Sequence, residues 1–384
     1  MPKVVLVARD AAPSQAGEQL VIVLEQEGVK VAPYLGMGKP LADRLADALV
    51  DVETADVVWL GMSAPEYQAE EEISVAEYAS RVGVPYGFYS DTFGCYARPW
   101  FEPYRSETSF VFVLNDEDKA GALQLYPRAS SLDTVVTTGN PNWEEFAFPK
   151  FTRQEVREKL RVGDDEYLIL CPGTKSVPIG SYVWVGVIQA LHGLLHIGKF
   201  QVILAPHPGE PTVQNGMNVY ADLEKYSGNV TVRFVTKDVM ATADMIPGAD
   251  LVVTQTVSST EGMRAAFLGI PTIYFLSVVD QERSFETHGT KISPPANMNI
   301  AAAVYGGNVV QLADTIYHLL FAGGGKAMQK IQRTKCVVKE RGYAVREMVR
   351  VLNQVALSQK VLPESTLYEL ERRLREEKPE DWKI

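Results

Sequence analysis

Leu251-Val252-Val253-Thr254-Gln255-Thr256-Val257-Ser258-Ser259-Thr260-Glu261-Gly262 begins as a β-branched strand and ends at the start of a helix covering residues 263–268. Gly269-Ile270-Pro271 stops that helix, and residues 272–276 form another β-branched and aromatic run. Strand, turn, helix and strand in such close succession make a βαβ unit, with parallel strands and a right-handed crossover. Hydroxyl residues at a helix start cap free backbone N–H groups. The same N–H groups, with the helix dipole behind them, bind a diphosphate. Ser258, Ser259 and Thr260 supply more hydroxyls than one cap uses, so this turn is read as an anion site.

The pattern extends in both directions. Upstream, residues 167–171, 200–204 and 230–235 read as strands. Between the first two, Trp184, Val187, Ile188, Leu191, Leu194 and Leu195 recur with helical spacing. Cys171-Pro172-Gly173-Thr174-Lys175-Ser176 follows the first of these strands. It has the end of a P-loop without the upstream glycine, since position 169 is Ile169. What remains is a glycine turn that brings backbone and Lys175 toward a phosphate, with an ordinary β-turn as the equal alternative. Ala205-Pro206-His207-Pro208 follows the next strand, and its prolines present His207 at the strand end. An imidazole there can donate to a phosphate or move a proton near neutral pH. Downstream, Val309, Leu312, Ala313, Ile316, Leu319 and Leu320 form a helical series, which Gly323-Gly324-Gly325 interrupts. The tail carries Leu367, Leu370 and Leu374 on one helical face.

The first half shows the same alternation. Residues 3–8, 29–35, 56–60, 85–90, 110–114 and 134–138 read as strands, and residues 17–27 and 70–82 as helices. Glu70-Glu71-Glu72 suits the positive end of the second helix. The expected fold is therefore α/β, with two doubly wound parallel sheets. The expected domains are residues 1–145 and 146–340, with a helical tail over 341–384. Ligands of such sheets lie beyond the carboxyl ends of the strands, and two domains facing each other would enclose a cleft. In the first half, Asp91 follows a strand and Glu102 stands in Arg98-Pro99-Trp100-Phe101-Glu102. That loop combines stacking aromatics with acids suited to proton transfer.

Composition narrows the function further. The 384 residues are 46% hydrophobic and 22% charged, which suits two globular domains and excludes wholesale disorder. No apolar run is long enough to span a bilayer, and the N-terminus lacks a signal-peptide pattern. Three scattered cysteines, Cys95, Cys171 and Cys336, give neither a disulfide framework nor a zinc ribbon, and a reducing cytoplasm is the expected location. With 37 basic and 48 acidic residues the net charge is −11, a poor match for nucleic acid.

Other motifs carry less. Asp116-Glu117-Asp118 has the D-x-D form of metal-dependent sugar transferases, but stands where a helix begins and acids need no metal. His192 and His196 could share a zinc but lack a third ligand nearby. Eight basic residues between Lys326 and Arg350, against Glu340 and Glu347, read first as a solvated face. An anionic acceptor or lipid headgroup is the alternative. There is no G-x-S-x-G elbow, and Gly36-Met37-Gly38 lacks the third glycine of a dinucleotide fingerprint.

Taken in order, two such halves, Thr138-Gly139-Asn140-Pro141, His207-Pro208, and Ser258-Ser259-Thr260 before Leu268-Gly269-Ile270-Pro271 resemble the GT-B superfamily of nucleotide-sugar enzymes. That superfamily includes lipid A disaccharide synthase and UDP-N-acetylglucosamine 2-epimerase. The resemblance covers nearly the whole chain. It implies two Rossmann-like domains, a C-terminal domain that binds the nucleotide-sugar, an N-terminal acceptor domain, and a tail that crosses back to the N-terminal domain. It also implies that Ser258, Ser259 and Thr260 bind the diphosphate, that His207 lies near the phosphates, and that Asp280-Gln281 contacts donor-sugar hydroxyls. Pro99-Trp100-Phe101-Glu102 is similar to the epimerase's Pro-Trp-Pro-Glu segment. Tyr89-Ser90-Asp91-Thr92 replaces that enzyme's His-x-Glu-Ala-Gly, and Gly61-Met62-Ser63 its Gly-Asp-Thr. Arg264 stands where many members place a glutamate for the ribose or donor, with Glu261 one turn earlier as a substitute.

The expectation is a metal-independent glycosyltransferase without cofactor, using a UDP-sugar as donor and an unidentified glycan, lipid or small molecule as acceptor. Asp91, Glu102 and His207 are its candidate catalytic residues. Gly173, Thr174, Lys175, His207, Ser258, Ser259, Thr260, Glu261, Arg264, Asp280 and Gln281 are its candidate nucleotide-sugar contacts. A homodimer and peripheral membrane contact stay open. The alternatives are a nucleotide-sugar 2-epimerase or hydrolase, and a non-catalytic nucleotide-sugar-binding or scaffold protein.

Overall fold

A computed structural model describes residues 2–36, 41–174, 177–207, 213–214, 217–218, 223, 230–255, 259–288 and 291–358. The chain divides into two compact units. The first joins residues up to Thr138 with those from Ala344 onward, and the second runs from Gly139 to Tyr343.

The first unit is built on a six-stranded sheet of β1 (Lys3–Ala8), β2 (Lys30–Leu35), β3 (Val57–Gly61), β4 (Tyr86–Tyr89), β5 (Phe110–Val113) and β6 (Val135–Thr137). Every pairing is parallel and the spatial order is β2-β1-β3-β4-β5-β6. The side-chain period of two fills both faces. Val5, Val7, Val58, Leu60, Val111 and Val113 go to one core, and Val4, Leu6, Val57, Trp59, Phe110 and Phe112 to the other. Helix α1 (Ala11–Gln26) covers the second core with Ala16, Leu20 and Leu24. It starts six residues before the sequence reading placed it, because Asp10 caps it by accepting the Ala11 N–H at 2.7 Å. Helix α2 (Leu41–Val52), which the sequence reading did not identify, and α3 (Glu70–Val82) cover the first core with Ala48, Val52, Val75, Ala76 and Ala79. The C-terminal helix Tyr343–Ser358 belongs to this unit. Val345, Met348, Val349, Leu352 and Val355 join the core of Leu20 and Leu24, and Asn353 donates to Glu27 at 3.0 Å. The leucine stripe at 367, 370 and 374 lies outside the described residues.

In the second unit, β7 (Glu166–Pro172), β8 (Lys199–Ala205), β11 (Thr231–Phe234), β12 (Leu251–Thr254), β13 (Thr272–Phe275) and β14 (Ala302–Val304) form a parallel sheet ordered β11-β8-β7-β12-β13-β14. A separate two-residue ladder pairs β9 (Val213–Gln214) with β10 (Met217–Asn218). The helices Val177–His192 and Val309–Leu320 pack on one face through Trp184, Val187, Leu191, Leu312 and Ile316. Val156, Leu160, Met245, Ile246 and Ala265 cover the other. Residues 139–145 fall with this unit for a packing reason. Trp143 and Phe146 both meet Phe267, at 6.0 and 6.1 Å between ring centroids, and Glu144 accepts the Gly342 N–H at 2.5 Å.

The chain turns back at β1 in the first sheet and at β7 in the second. The crevices for ligands therefore open past the carboxyl ends of β1 and β3, and of β7 and β12.

Candidate functional site

At the crevice of the second sheet, Gln255 is buried and donates from Nε2 to the Pro172 carbonyl at 2.9 Å, tying the ends of β12 and β7 together. Ser259 is the cap of helix Thr260–Phe267. Its Oγ accepts the Gly262 N–H at 3.3 Å and the Thr254 hydroxyl at 2.7 Å. A Cβ on Gly262 would stand 2.5 Å from Tyr274 Oη and 3.0 Å from Thr254 Cγ2, so glycine is what lets the first helical turn lie so close to the strand ends. Thr260, the first helical residue, is exposed. The Gly173 N–H is held by the Ala205 carbonyl at 2.7 Å, and half-buried Thr174 follows it. His207 is half-buried, two residues beyond β8. Lys175 and Ser258 lie outside the described residues.

Four other candidates in this unit are engaged locally. Asp280 accepts from Ser277 N at 3.2 Å and Ser277 Oγ at 2.8 Å, while Ser277 Oγ accepts the Asp280 N–H at 3.1 Å. That reciprocal pair starts the helix Val278–His288. Gln281 bridges the Lys291 carbonyl at 3.4 Å and the Gly306 N–H at 3.2 Å. The Arg264 guanidinium lies 4.1 Å over the Phe146 ring, with Nε 3.5 Å from Glu261. Burial pushes the Glu261 carboxyl up, and Arg264 opposes that rise.

At the crevice of the first sheet, Asp10, Ser63 and Asp91 stand past the ends of β1, β3 and β4. Gly61 permits the close approach there, because a Cβ on it would sit 2.8 Å from Ala8 Cβ and 3.0 Å from Pro13 Cβ. Asp91 is 6% exposed; its Oδ1 accepts the Cys95 thiol at 3.4 Å and lies 3.9 Å from Arg98 Nη1. Burial pushes the Asp91 carboxyl up, Arg98 pulls it down, and Asp10 adds to the rise. Burial likewise holds the Cys95 thiol up at about 12. Glu102 is exposed on the 3-10 segment Pro99–Tyr104, so the two acids of the sequence reading occupy different environments.

The sequence reading missed Glu72. Its side chain is fully buried, and Oε1 accepts the Arg9 N–H at 3.1 Å and the Ser63 hydroxyl. Ser63 Oγ in turn accepts the Asp10 N–H at 2.9 Å. Burial pushes the Glu72 carboxyl up to about 7, against the pull of those hydrogen bonds. Beside it Glu71 is also fully buried, with Arg44 Nε 3.3 Å away. Only the helix-start signal of Glu70-Glu71-Glu72 was visible in sequence; which acids turn inward depends on the sheet they meet.

The remaining motifs take structural places. Asp116-Glu117-Asp118 is the first turn of helix α4 (Asp116–Leu125), where Asn115 accepts the Asp118 N–H at 2.8 Å. His192 and His196 are exposed, and no group of three or more His, Cys, Asp or Glu suited to a metal occurs among the described residues. The three cysteines are buried and unpaired. Among the described residues no helix is long and apolar enough to cross a membrane.

No protein-family model matches the chain, and no curated protein sequence matches it. Solved structures do. MurG of Acinetobacter baumannii superposes with a TM-score of 0.58 at 13% identity, over 92% of this chain and all 100% of that one. A glycosyltransferase from Rickettsia africae gives 0.56 at 13% identity, over 92% and 98%. A UDP-GlcNAc 2-epimerase from Neisseria meningitidis, bound to UDP-GlcNAc, gives 0.54 at 12% identity, over 92% and 100%. The fold is GT-B. In GT-B terms, the two crevices described above are those of its two Rossmann-like units.

Proposed function

We propose that this protein is a glycosyltransferase that moves a sugar from a UDP-sugar to an acceptor hydroxyl. The observation that carries the reading is the turn at the second crevice. There Ser259 caps the helix Thr260–Phe267, Gly262 draws its first turn against β12 and β13, and exposed Thr260 leads it. Backbone N–H groups at a helix start, past the carboxyl end of a parallel strand, suit a diphosphate. The GT-B structures that match include a UDP-GlcNAc complex and glycosyltransferases, which supports a UDP-sugar as the donor.

In this reading the acceptor oxygen attacks the anomeric carbon and its proton passes to the Asp91 carboxylate. Asp91 fits better than exposed Glu102, because burial moves its basicity toward working pH while Arg98 steadies the charged form. The bond from the anomeric carbon to the diphosphate breaks, and UDP leaves against the helix start and His207. Fixed N–H dipoles and an imidazole donor supply stabilisation as that charge develops. Asp280 and Gln281, engaged in capping and loop contacts, would meet donor hydroxyls only with their remaining valences.

An epimerase or hydrolase acting on the nucleotide-sugar alone is the second reading, favoured by a buried carboxyl with raised basicity, Asp91, that can give as well as take a proton. Incubation with UDP-sugars separates the two. UDP release that rises on adding acceptor hydroxyl compounds supports transfer. A UDP-sugar epimer, or UDP release that acceptors never accelerate, supports the second reading.

A further inference from the structure

We propose that Glu72 and Ser63 are positioning residues of the transferase, holding the Arg9–Asp10 loop in the place that the chemistry at Asp91 needs. The inference rests on the glycosyltransferase reading above and names two residues of the same site.

The geometry is a relay across three strand ends. Glu72 Oε1 accepts from Arg9 N at 3.1 Å and from the Ser63 hydroxyl, and Ser63 Oγ accepts from Asp10 N at 2.9 Å. The turn after β3 thereby fixes the backbone after β1. The same turn also holds the aromatic loop: Trp100 Nε1 donates to the Ser63 carbonyl at 3.3 Å, and the single Cys95 S–H lies between Asp91 Oδ1 at 3.4 Å and the Met62 carbonyl at 3.7 Å. One turn therefore anchors both the loop bearing Asp10 and the loop bearing Asp91, and Asp10 is close enough to raise the Asp91 carboxyl.

Glu72 does more than serve its own helix start, where its own backbone N–H helps to hold the charged form. It occupies the third position of α3, from which a capping glutamate reaches back to the cap residue. Here the cap is Ala69, which makes no side-chain cap bond, and the carboxylate reaches across to β1 and β3 instead. Its second oxygen, Oε2, is buried with no hydrogen-bond partner. Burying a carboxyl this completely, with one oxygen unsatisfied, opposes folding. Such a cost is expected where a group holds reactive geometry rather than where it merely fills a core.

Three variants of the full chain test this: Ser63→Ala, Glu72→Gln and Glu72→Ala. Amide hydrogen exchange, measured without substrate, reads the loop directly; UDP release from UDP-GlcNAc, with water as the acceptor, reads the chemistry. Ser63→Ala should speed exchange at Asp10 at least tenfold, with remote β5 amides unchanged. It should lower kcat at least tenfold while the donor KM stays within twofold. Glu72→Gln keeps an accepting Oε1 and should retain most of the protection and rate that Glu72→Ala loses. Faster exchange with kcat unchanged, or unchanged exchange, overturns the proposal alone. Equal losses in Glu72→Gln and Glu72→Ala also overturn it. A wild-type protein that releases no UDP from any UDP-sugar, with water alone or with added acceptor hydroxyl compounds, overturns the transferase reading, and this proposal with it.

Discussion

Arg264 stacks over Phe146, 4.1 Å from guanidinium carbon to ring centroid, and so joins the helix Thr260–Phe267 to the segment that opens the second unit. The same guanidinium faces Glu261 across one helical turn. Both partners direct Arg264 toward packing.

Replacing Arg264 with Ala should therefore cost stability and leave nucleotide affinity alone. A partly desolvated cation–π contact contributes about 1–2 kcal/mol, and Glu261 would lose the charge that opposes its burial. Urea unfolding and UDP titration of the same variant check this. A large loss of affinity with stability unchanged would instead support the donor contact that the sequence implied for Arg264.

Gly262→Ala tests the close approach of the helix start. Its new methyl would fall 2.5 Å from Tyr274 Oη, so the helix start or the buried Tyr274 ring must shift. Overpacking of this kind costs about 1–3 kcal/mol, and the displaced N–H groups should weaken UDP binding at least tenfold. Wild-type affinity in a destabilised Gly262→Ala would place the diphosphate elsewhere.

These two positions show what the sequence disclosed. The strand–hydroxyl turn–helix order at 251–268 is local, and the short apolar runs along 3–8, 56–60 and 110–114 are local too, so architecture and crevices could be read directly. Arg264 could not, because its partner Phe146 lies far away in sequence. Glu72 was hidden for a related reason. Three consecutive acids at a helix start satisfy the dipole whether or not they face water, and only the sheet end above them selects which are buried. The capping bond of Asp280 to Ser277 is local, while its role as a donor contact comes from the resemblance alone.

Glu72 also gives a pH signature. Its carboxyl is raised from 4.5 to about 7, so the folded protein binds more protons than the unfolded chain between those values. Stability from this group is fully present below about 4.5 and is lost as pH rises toward 7. The difference amounts to roughly 3 kcal/mol. Glu72→Gln removes the titration while Glu71, Arg9 and Arg44 stay in place. Relative to wild type, it should gain stability between pH 5 and pH 8 by an amount of that order. A pH-independent difference in unfolding free energy would contradict the buried-carboxyl account.

His207 is expected to act on the leaving group. His207→Asn retains a hydrogen-bond donor without the imidazole proton, so kcat for UDP release should fall on the order of a hundredfold, with the donor KM little changed. A parallel loss of UDP affinity would make it a binding residue instead.

Calorimetric titration of UDP into the full chain and into its Ser258→Ala, Thr260→Ala double variant tests the central claim most directly. The account predicts saturable binding at one site per chain in the wild type, weakened at least tenfold in the folded double variant. Absence of binding to the wild type, or equal affinity in both proteins, would contradict it.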